Sequence, residues 1–295
     1  MLSTPTTIEA AGVRRLVVFT DLDGSLIDER TYSFEPAAAA LQALARAGVQ
    51  VIPVTSKTRA ELEVLAGELD IRGPWIVENG GAVVVPRDRA ETVPAGAFEE
   101  AGDYLVLPLG VAREQLVAAL REMESEVGTV LVGFSNMDRE SITELTGLSG
   151  AAADRAMARE YDEPFLPIEG GALERLSCIA AERGLIVTRG GRFFHLTGGV
   201  DKGQAVRRLL ALLRGGSRLA SVGLGDSPND LSMLLAVDRP IVVPRPGGRA
   251  DRFLAERLPR AELAPHPGPR GWQEAVLGVL GGRVLPFVET EERRR

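Results

Sequence analysis

Two carboxylates two residues apart, Asp21 and Asp23, follow the apolar run Leu16-Val17-Val18-Phe19-Thr20 and are closed by Gly24. A β-branched and aromatic run ending in glycine reads as a buried strand with a tight turn after it. In an open parallel sheet, ligands bind outside the carboxyl ends of such strands. Anionic groups this close repel unless a cation lies beside them, and a hard divalent ion with oxygen ligands relieves the repulsion. The run Val49 to Val54 ends in Thr55-Ser56-Lys57-Thr58, and Ser217 to Leu224 ends in Gly225-Asp226-Ser227-Pro228-Asn229-Asp230. Lys202 stands at the start of another helical segment. Taken singly, each of these residues can cap a helix or make a turn. Recurrence at three strand ends argues instead for one shared crevice.

Carboxylates for a Mg²⁺ ion, with Lys, Thr and Asn as donors, are what a phosphoryl group requires, because metal and donors stabilise charge spread over its oxygens. Asp21, in direct line off its strand, is the expected nucleophile, giving an aspartyl-phosphate that divides one slow hydrolysis into two faster steps. Asp23 is the expected acid and base, protonating the leaving oxygen and later deprotonating water. Lys202 would hold the phosphoryl group and a carboxylate together.

These residues need a scaffold, and the chain supplies an alternation of strands and helices. Pro36 opens an Ala-rich helix over 36–47 that stops at Gly48, and a helix over 59–69 follows the second strand. A third strand, 74–77, closes in Glu78-Asn79-Gly80-Gly81, with a short strand at 82–85. From Pro86 the pattern changes: irregular structure to Gly102, then a strand at 104–107, a helix over 111–126, a strand at 129–134 and helices across 139–160. A strand at 164–168, a helix over 171–183 and strands at 185–188 and 192–196, turning at Gly190-Gly191, complete this part. The first style returns with helices at 202–214, 229–236 and 271–280 and a strand at 240–243; the charged tail 289–295 is expected to be disordered. The expected fold is α/β, a Rossmann-like, doubly wound parallel sheet core with an inserted α+β cap domain. The core is assigned to 1–86 with 197–295, and the cap to 87–196.

Composition narrows the function classes. Of 295 residues, 45% are hydrophobic and 25% charged, average for a globular chain, and no apolar run approaches a membrane span. A net charge of -7 argues against general nucleic-acid binding. The N-terminus shows no secretory signal, and one cysteine, Cys178, expected on a buried helix face, excludes an internal disulfide, so the reducing cytoplasm is the expected compartment. Among 34 basic residues only Lys57 and Lys202 are lysine, and both fall in the strand-end or helix-start segments described above. A compact point charge is not interchangeable with the planar fork of arginine, so these two mark places where that shape is needed. His195, among Phe193, Phe194 and Leu196, reads as a half-buried strand residue and not as a catalyst.

Asp21-Leu22-Asp23-Gly24-Ser25-Leu26, Thr55, Lys202 and Gly225-Asp226-Ser227-Pro228-Asn229-Asp230 resemble, in order, the four motifs of the haloacid dehalogenase superfamily phosphatases. The late insertion resembles the cap of the sugar-phosphate branch, and Ser25 replaces the usual threonine while keeping its hydroxyl. Pro53-Val54-Thr55-Ser56-Lys57-Thr58, Val77-Glu78-Asn79-Gly80-Gly81, Ala158-Arg159-Glu160-Tyr161-Asp162-Glu163-Pro164 and Gly268-Pro269-Arg270-Gly271-Trp272 resemble the mannosyl-3-phosphoglycerate phosphatase family. That resemblance implies Mg²⁺-dependent hydrolysis of a phosphorylated sugar-glycerate. It makes Asp21, Asp23 (through its carbonyl) and Asp226 metal ligands, Asp230 their support, and Thr55, Ser56, Lys202 and Asn229 the phosphate holders. A substrate with a carboxylate and sugar hydroxyls needs cations and hydrogen-bonding groups, and Glu78, Asn79 and Gly80 on the core with Arg159 and Glu163 on the cap are the expected contacts. A phosphomutase of the same architecture and a non-catalytic sugar-phosphate sensor are the alternatives.

Overall fold

A computed structural model describes residues 15–190, 192–214, 219–283 and 285; the expected tail, and the N-terminal segment read for a signal, lie outside them. The central sheet has five parallel strands in the order β12-β11-β10-β1-β2: β1 (Arg15–Thr20), β2 (Gln50–Pro53), β10 (Leu219–Gly225), β11 (Arg239–Val242) and β12 (Glu262–Leu263). Apolar residues of its strands are buried on both faces of the sheet, because both faces are covered. Val18, Val51, Val222 and Leu224 pack with helices α1 (Ala38–Arg46), α2 (Arg59–Glu68) and α10 (Gly268–Leu280). Val17, Phe19 and Ile52 pack on the other face with α7 (Lys202–Arg214), α8 (Leu231–Leu234) and α9 (Arg252–Arg257). Thr58 and Glu61 form a reciprocal capping box that fixes where α2 begins, immediately after the Thr55-Ser56-Lys57 loop.

Beyond β2, a parallel bridge from Val54 to Ile76 joins β3 (Trp75–Val77) to the sheet edge, and β3 starts a four-stranded antiparallel sheet. Its order is β3-β4-β6-β5, with β4 (Ala82–Pro86), β5 (Glu99–Ala101) and β6 (Tyr104–Pro108). Val93, Leu105, Val106 and Leu107 pack into the clusters of the parallel sheet. The expected division at 86/87 therefore falls at the end of β4, inside a sheet, and residues 87–108 are packed with the core. The stretch expected to be irregular contains one 3₁₀ segment, Arg87–Thr92, and β5.

The remaining segment has its own sheet, β7-β9-β8, all antiparallel: β7 (Asp162–Phe165), β8 (Ile186–Arg189) and β9 (Phe194–Thr197). On one face Phe165, Phe194 and Leu196 pack under α3 (Arg113–Val127) and α6 (Gly171–Glu182). A second cluster, Phe134, Ile142 and Ala153 with Phe193 against it, belongs to α4 (Arg139–Thr146), α5 (Gly150–Met157) and the turn before them. The strand expected at 129–134 is absent, leaving a single bridge from Gly133 to Phe165. Side chains take its backbone donors instead: Glu124 accepts from Leu131 N at 2.7 Å and Glu163 from Ser135 N at 2.7 Å. Cys178 is exposed, because α6 buries Leu176 and Ala180 and a residue midway between them points to the opposite side.

Candidate active site

Asp21 leaves β1 with its backbone held on both sides. Its N–H donates to Leu224 O on β10 at 2.9 Å, and its carbonyl accepts the Thr20 hydroxyl at 2.7 Å. Thr20 in turn accepts the indole N–H of Trp272 at 2.8 Å. Helix α10 thus steadies the backbone of Asp21.

Lys202, the first residue of α7, is 1% exposed, with Nζ 2.7 Å from Asp21 Oδ1 and 2.6 Å from Asp230 Oδ1. Burial disfavours the ammonium, but the two carboxylates more than offset it and hold the pKa above the usual lysine value. The other oxygen of Asp230 accepts from Asp226 N at 3.1 Å, Ser227 N at 3.0 Å and Ser227 Oγ at 3.1 Å. Both oxygens of Asp230 are thus engaged within the protein.

Asp21, Asp226 and Asp230 offer carboxylate oxygens within 4.8 Å of one another. Burial, then Asp230, pushes the Asp21 carboxyl up to about 7, with Lys202 opposing. Burial, then Asp21 and Asp230, pushes Asp226 to about 8. Acids crowded into holding their protons near neutrality form a site short of positive charge. With Asp230 engaged, Asp21 and Asp226 remain as oxygen donors, an all-oxygen pair suited to a hard ion such as Mg²⁺. Gly24 permits this proximity: at φ +85° it occupies the left-handed region, and a Cβ there would lie 2.9 Å from Asp226 Oδ2. Ser25 donates to Asp226 Oδ1 at 3.4 Å, so the serine in place of threonine keeps the contact.

Asp23 Oδ2 pairs with Lys57 Nζ at 2.8 Å, and its Oδ1 is buried without a protein partner. Burial works against the Lys57 ammonium; Asp23 and Glu61 outweigh it and raise the pKa. Both residues line a cavity of about 510 Å³ that also contains Asp21, Asp226, Ser56 and Asn229. Thr55 is buried below its rim, with Oγ1 accepting from Lys57 N at 3.1 Å. Asn229 accepts the Ser227 hydroxyl through Oδ1.

Of the five expected substrate contacts, Arg159 alone lines this cavity. Glu163 is fully buried on the other face of β7, where Arg113 Nε donates to it at 2.8 Å. Successive strand residues face opposite sides, so Asp162 and Pro164 turn toward the cavity and Glu163 toward α3. Glu78 is also fully buried, accepting from Glu160 N at 3.0 Å and Tyr161 N at 2.8 Å. Asn79 donates to Asp162 at 3.1 Å, and a Cβ on Gly80 would lie 2.4 Å from Asp201 O. These three residues bind the cap and its return linker and do not line the cavity.

Sequence reasoning did not assign four residues that line the same cavity, Lys57, Arg192, Arg245 and His195. For Lys57 the signal was present, in the scarcity of lysine. For His195 it was not, since its partner Asp162 lies 33 residues away.

A parallel α/β core with paired strand-end aspartates, a buried lysine and an α+β insertion over the cavity defines the class of phosphoryl-transfer hydrolases with a cap. The family model for haloacid dehalogenase-like hydrolases matches residues 18–96. A glucosyl-3-phosphoglycerate/mannosyl-3-phosphoglycerate phosphatase of Methanococcoides burtonii is 39% identical over 90% of this chain and 97% of its own. A mannosyl-3-phosphoglycerate phosphatase of Pyrococcus furiosus is 36% identical over 75% of this chain and 88% of its own. The solved structure of a haloacid dehalogenase-like hydrolase from B. subtilis superposes with a TM-score of 0.62 at 17% identity, covering 90% of this chain and 98% of that one, a likeness of fold. The chain belongs to the haloacid dehalogenase-like hydrolases, in the family of glucosyl-3-phosphoglycerate/mannosyl-3-phosphoglycerate phosphatases.

Proposed function

We propose that the protein is a Mg²⁺-dependent phosphatase that hydrolyses a glycosyl-3-phosphoglycerate, mannosyl-3-phosphoglycerate foremost, to the glycosylglycerate and inorganic phosphate. The observation that carries this reading is Lys202 held between Asp21 and Asp230 beside a cavity whose cap wall includes Arg159 and Arg192. The relatives' names supply the substrate.

In the first step a carboxylate oxygen of Asp21 bonds to phosphorus as the P–O bond to the glycerate breaks, and Asp23 gives that oxygen a proton. In the second, Asp23 takes a proton from water as the water attacks phosphorus, phosphate departs and Asp21 is restored. Lys202 keeps Asp21 aimed and charge-compensated, and Lys57 holds the Asp23 carboxylate in place. Ser56 and Asn229 stand at the cavity to receive phosphoryl oxygens, with Thr55 behind them. Asp21, Asp226 and the Asp23 carbonyl would hold Mg²⁺, whose charge would neutralise that of the phosphoryl group.

Residues of about 110–198 are the body proposed to close over the substrate, a reading supported by their own sheet and by the packing of 87–108 with the core. Its two linkers run side by side: a Cβ on Gly198 would lie 2.3 Å from Val111 N, and one on Gly110 would lie 3.3 Å from Val200 Cγ2. Closure excludes bulk water and sets specificity. Among the described residues no helix is long and apolar enough to cross a membrane, and the reducing cytoplasm remains the proposed setting.

The test is phosphate release from mannosyl- and glucosyl-3-phosphoglycerate with Mg²⁺. Stoichiometric phosphate and glycosylglycerate, abolished by a chelator and by Asp21→Asn, are expected. An isomeric phosphate ester without free phosphate would make the protein a mutase, and full turnover by a folded Asp21→Asn would remove the nucleophile assignment.

A further inference from the structure

Asp162 opens β7 with its carboxylate fully buried. Its Oδ2 collects donors from three parts of the chain: His195 Nδ1 at 2.7 Å, Arg159 Nη1 at 2.9 Å and Asn79 Nδ2 of the core at 3.1 Å. Burial pushes this carboxyl up, but His195 and Arg159 beside it outweigh that and hold it below the ordinary carboxylate value. It is therefore ionised, and an ionised carboxylate only accepts hydrogen bonds. A hydrogen must therefore sit on Nδ1 of His195, which leaves Nε2 on the far side of the ring from Asp162.

His195 and Arg159 both line the cavity that contains Asp21, whereas Asp162 does not. Among the described residues, neither His195 Nε2 nor Arg159 Nη2 makes a hydrogen bond. The Arg159 guanidinium is further fixed by Phe134, whose ring centre lies 5.6 Å away, and by Nη1 donating to Ser56 O at 3.1 Å. One buried carboxylate thus holds two groups of different character, a guanidinium and an imidazole, in the wall of one cavity.

We propose that Asp162 is a positioning residue that sets Arg159 and His195 as the receptor for the half of the substrate that is not transferred, Arg159 donating to its carboxylate and His195 Nε2 hydrogen-bonding a neighbouring hydroxyl. This rests on the reading of the substrate as a glycosyl-phosphoglycerate, which carries both groups. Because Asn79 and Ser56 belong to the core while Arg159, Asp162 and His195 belong to the cap, the receptor is complete only when the cap is seated. Substrate recognition and cap seating then share one carboxylate.

The test compares kcat and KM of the whole enzyme on mannosyl-3-phosphoglycerate and on p-nitrophenyl phosphate, which has neither carboxylate nor hydroxyl. His195→Ala and Asp162→Asn are expected to raise KM for the first substrate roughly 10- to 100-fold, with a smaller change in kcat. Their loss of kcat/KM on it should exceed that on p-nitrophenyl phosphate at least tenfold. His195→Gln, whose amide can hydrogen-bond a hydroxyl, should recover part of the loss. If Asp162→Asn does not fold, the two His195 variants decide alone. Equal losses on the two substrates, or no loss, overturn the role of Asp162 and its pair. A wild-type enzyme inactive on glycosyl-3-phosphoglycerates overturns the substrate reading itself.

Discussion

The ammonium of Lys202 lies 2.7 Å from Asp21 and 2.6 Å from Asp230, and the side chain is buried. Two buried carboxylates and one buried cation depend on each other, since removing one partner strands the others in a medium that solvates charge poorly. Lys202→Met should therefore cost about 3–5 kcal/mol of stability as well as nearly all activity. Urea unfolding together with a phosphate assay checks this. A variant that keeps wild-type stability while losing activity would show that the triad is not the buried ion cluster described.

The crowding of Asp21 against Asp226 makes a second outcome measurable without turnover. Mg²⁺ should raise the melting temperature of the wild type, because a ligand that binds only the folded state stabilises it by mass action. Asp226→Asn should abolish most of that shift. An equal shift in both proteins would place the ion elsewhere.

Burial pushes the Glu78 carboxyl up to about 7, with Asp162 adding to the rise and Arg159 and the Tyr161 and Glu160 amides opposing it. A carboxyl whose folded pKa is raised binds its proton more tightly when folded. Its contribution is present below the ordinary value of 4.5 and is lost as pH rises through about 7. Stability should fall across that window by at most about 1.4 kcal/mol per pH unit on this account. Glu78→Gln should flatten the slope between pH 5 and 7.5 in denaturant unfolding, and an unchanged slope would contradict the prediction.

Trp272 is fully buried and donates to Thr20, which donates to the Asp21 carbonyl. Trp272→Phe removes the donor and leaves a smaller ring, with an expected cost of roughly 1–3 kcal/mol. Activity per folded molecule should also drop as Asp21 loses its anchor. Retention of full kcat at reduced stability would limit Trp272 to packing.

Much of this site was legible in the residues alone. The apolar runs before Asp21, Thr55 and Asp226 form neighbouring parallel strands, and two lysines in a nearly lysine-free chain pair with Asp21 and Asp23. Local pattern suffices there because strand ends of a parallel sheet share one edge, so the side chains they carry must converge. The cap was less legible. Whether Asp162 or Glu163 lies on the cavity side of its sheet turns on a single step along β7, and one step reverses the face. Glu78 and Asn79 have the composition of substrate contacts, yet the buried amides of Glu160 and Tyr161 and the carboxylate of Asp162 claim them. His195 becomes part of a site because Asp162 stands across β7 and β9 from it, a pairing of distant segments that no local pattern encodes. Residue types and spacing determined the chemistry at Asp21; the register and docking of the cap decided which side chains face it. The first follows from chain geometry within each strand, and the second from contacts that exist only after the chain has folded.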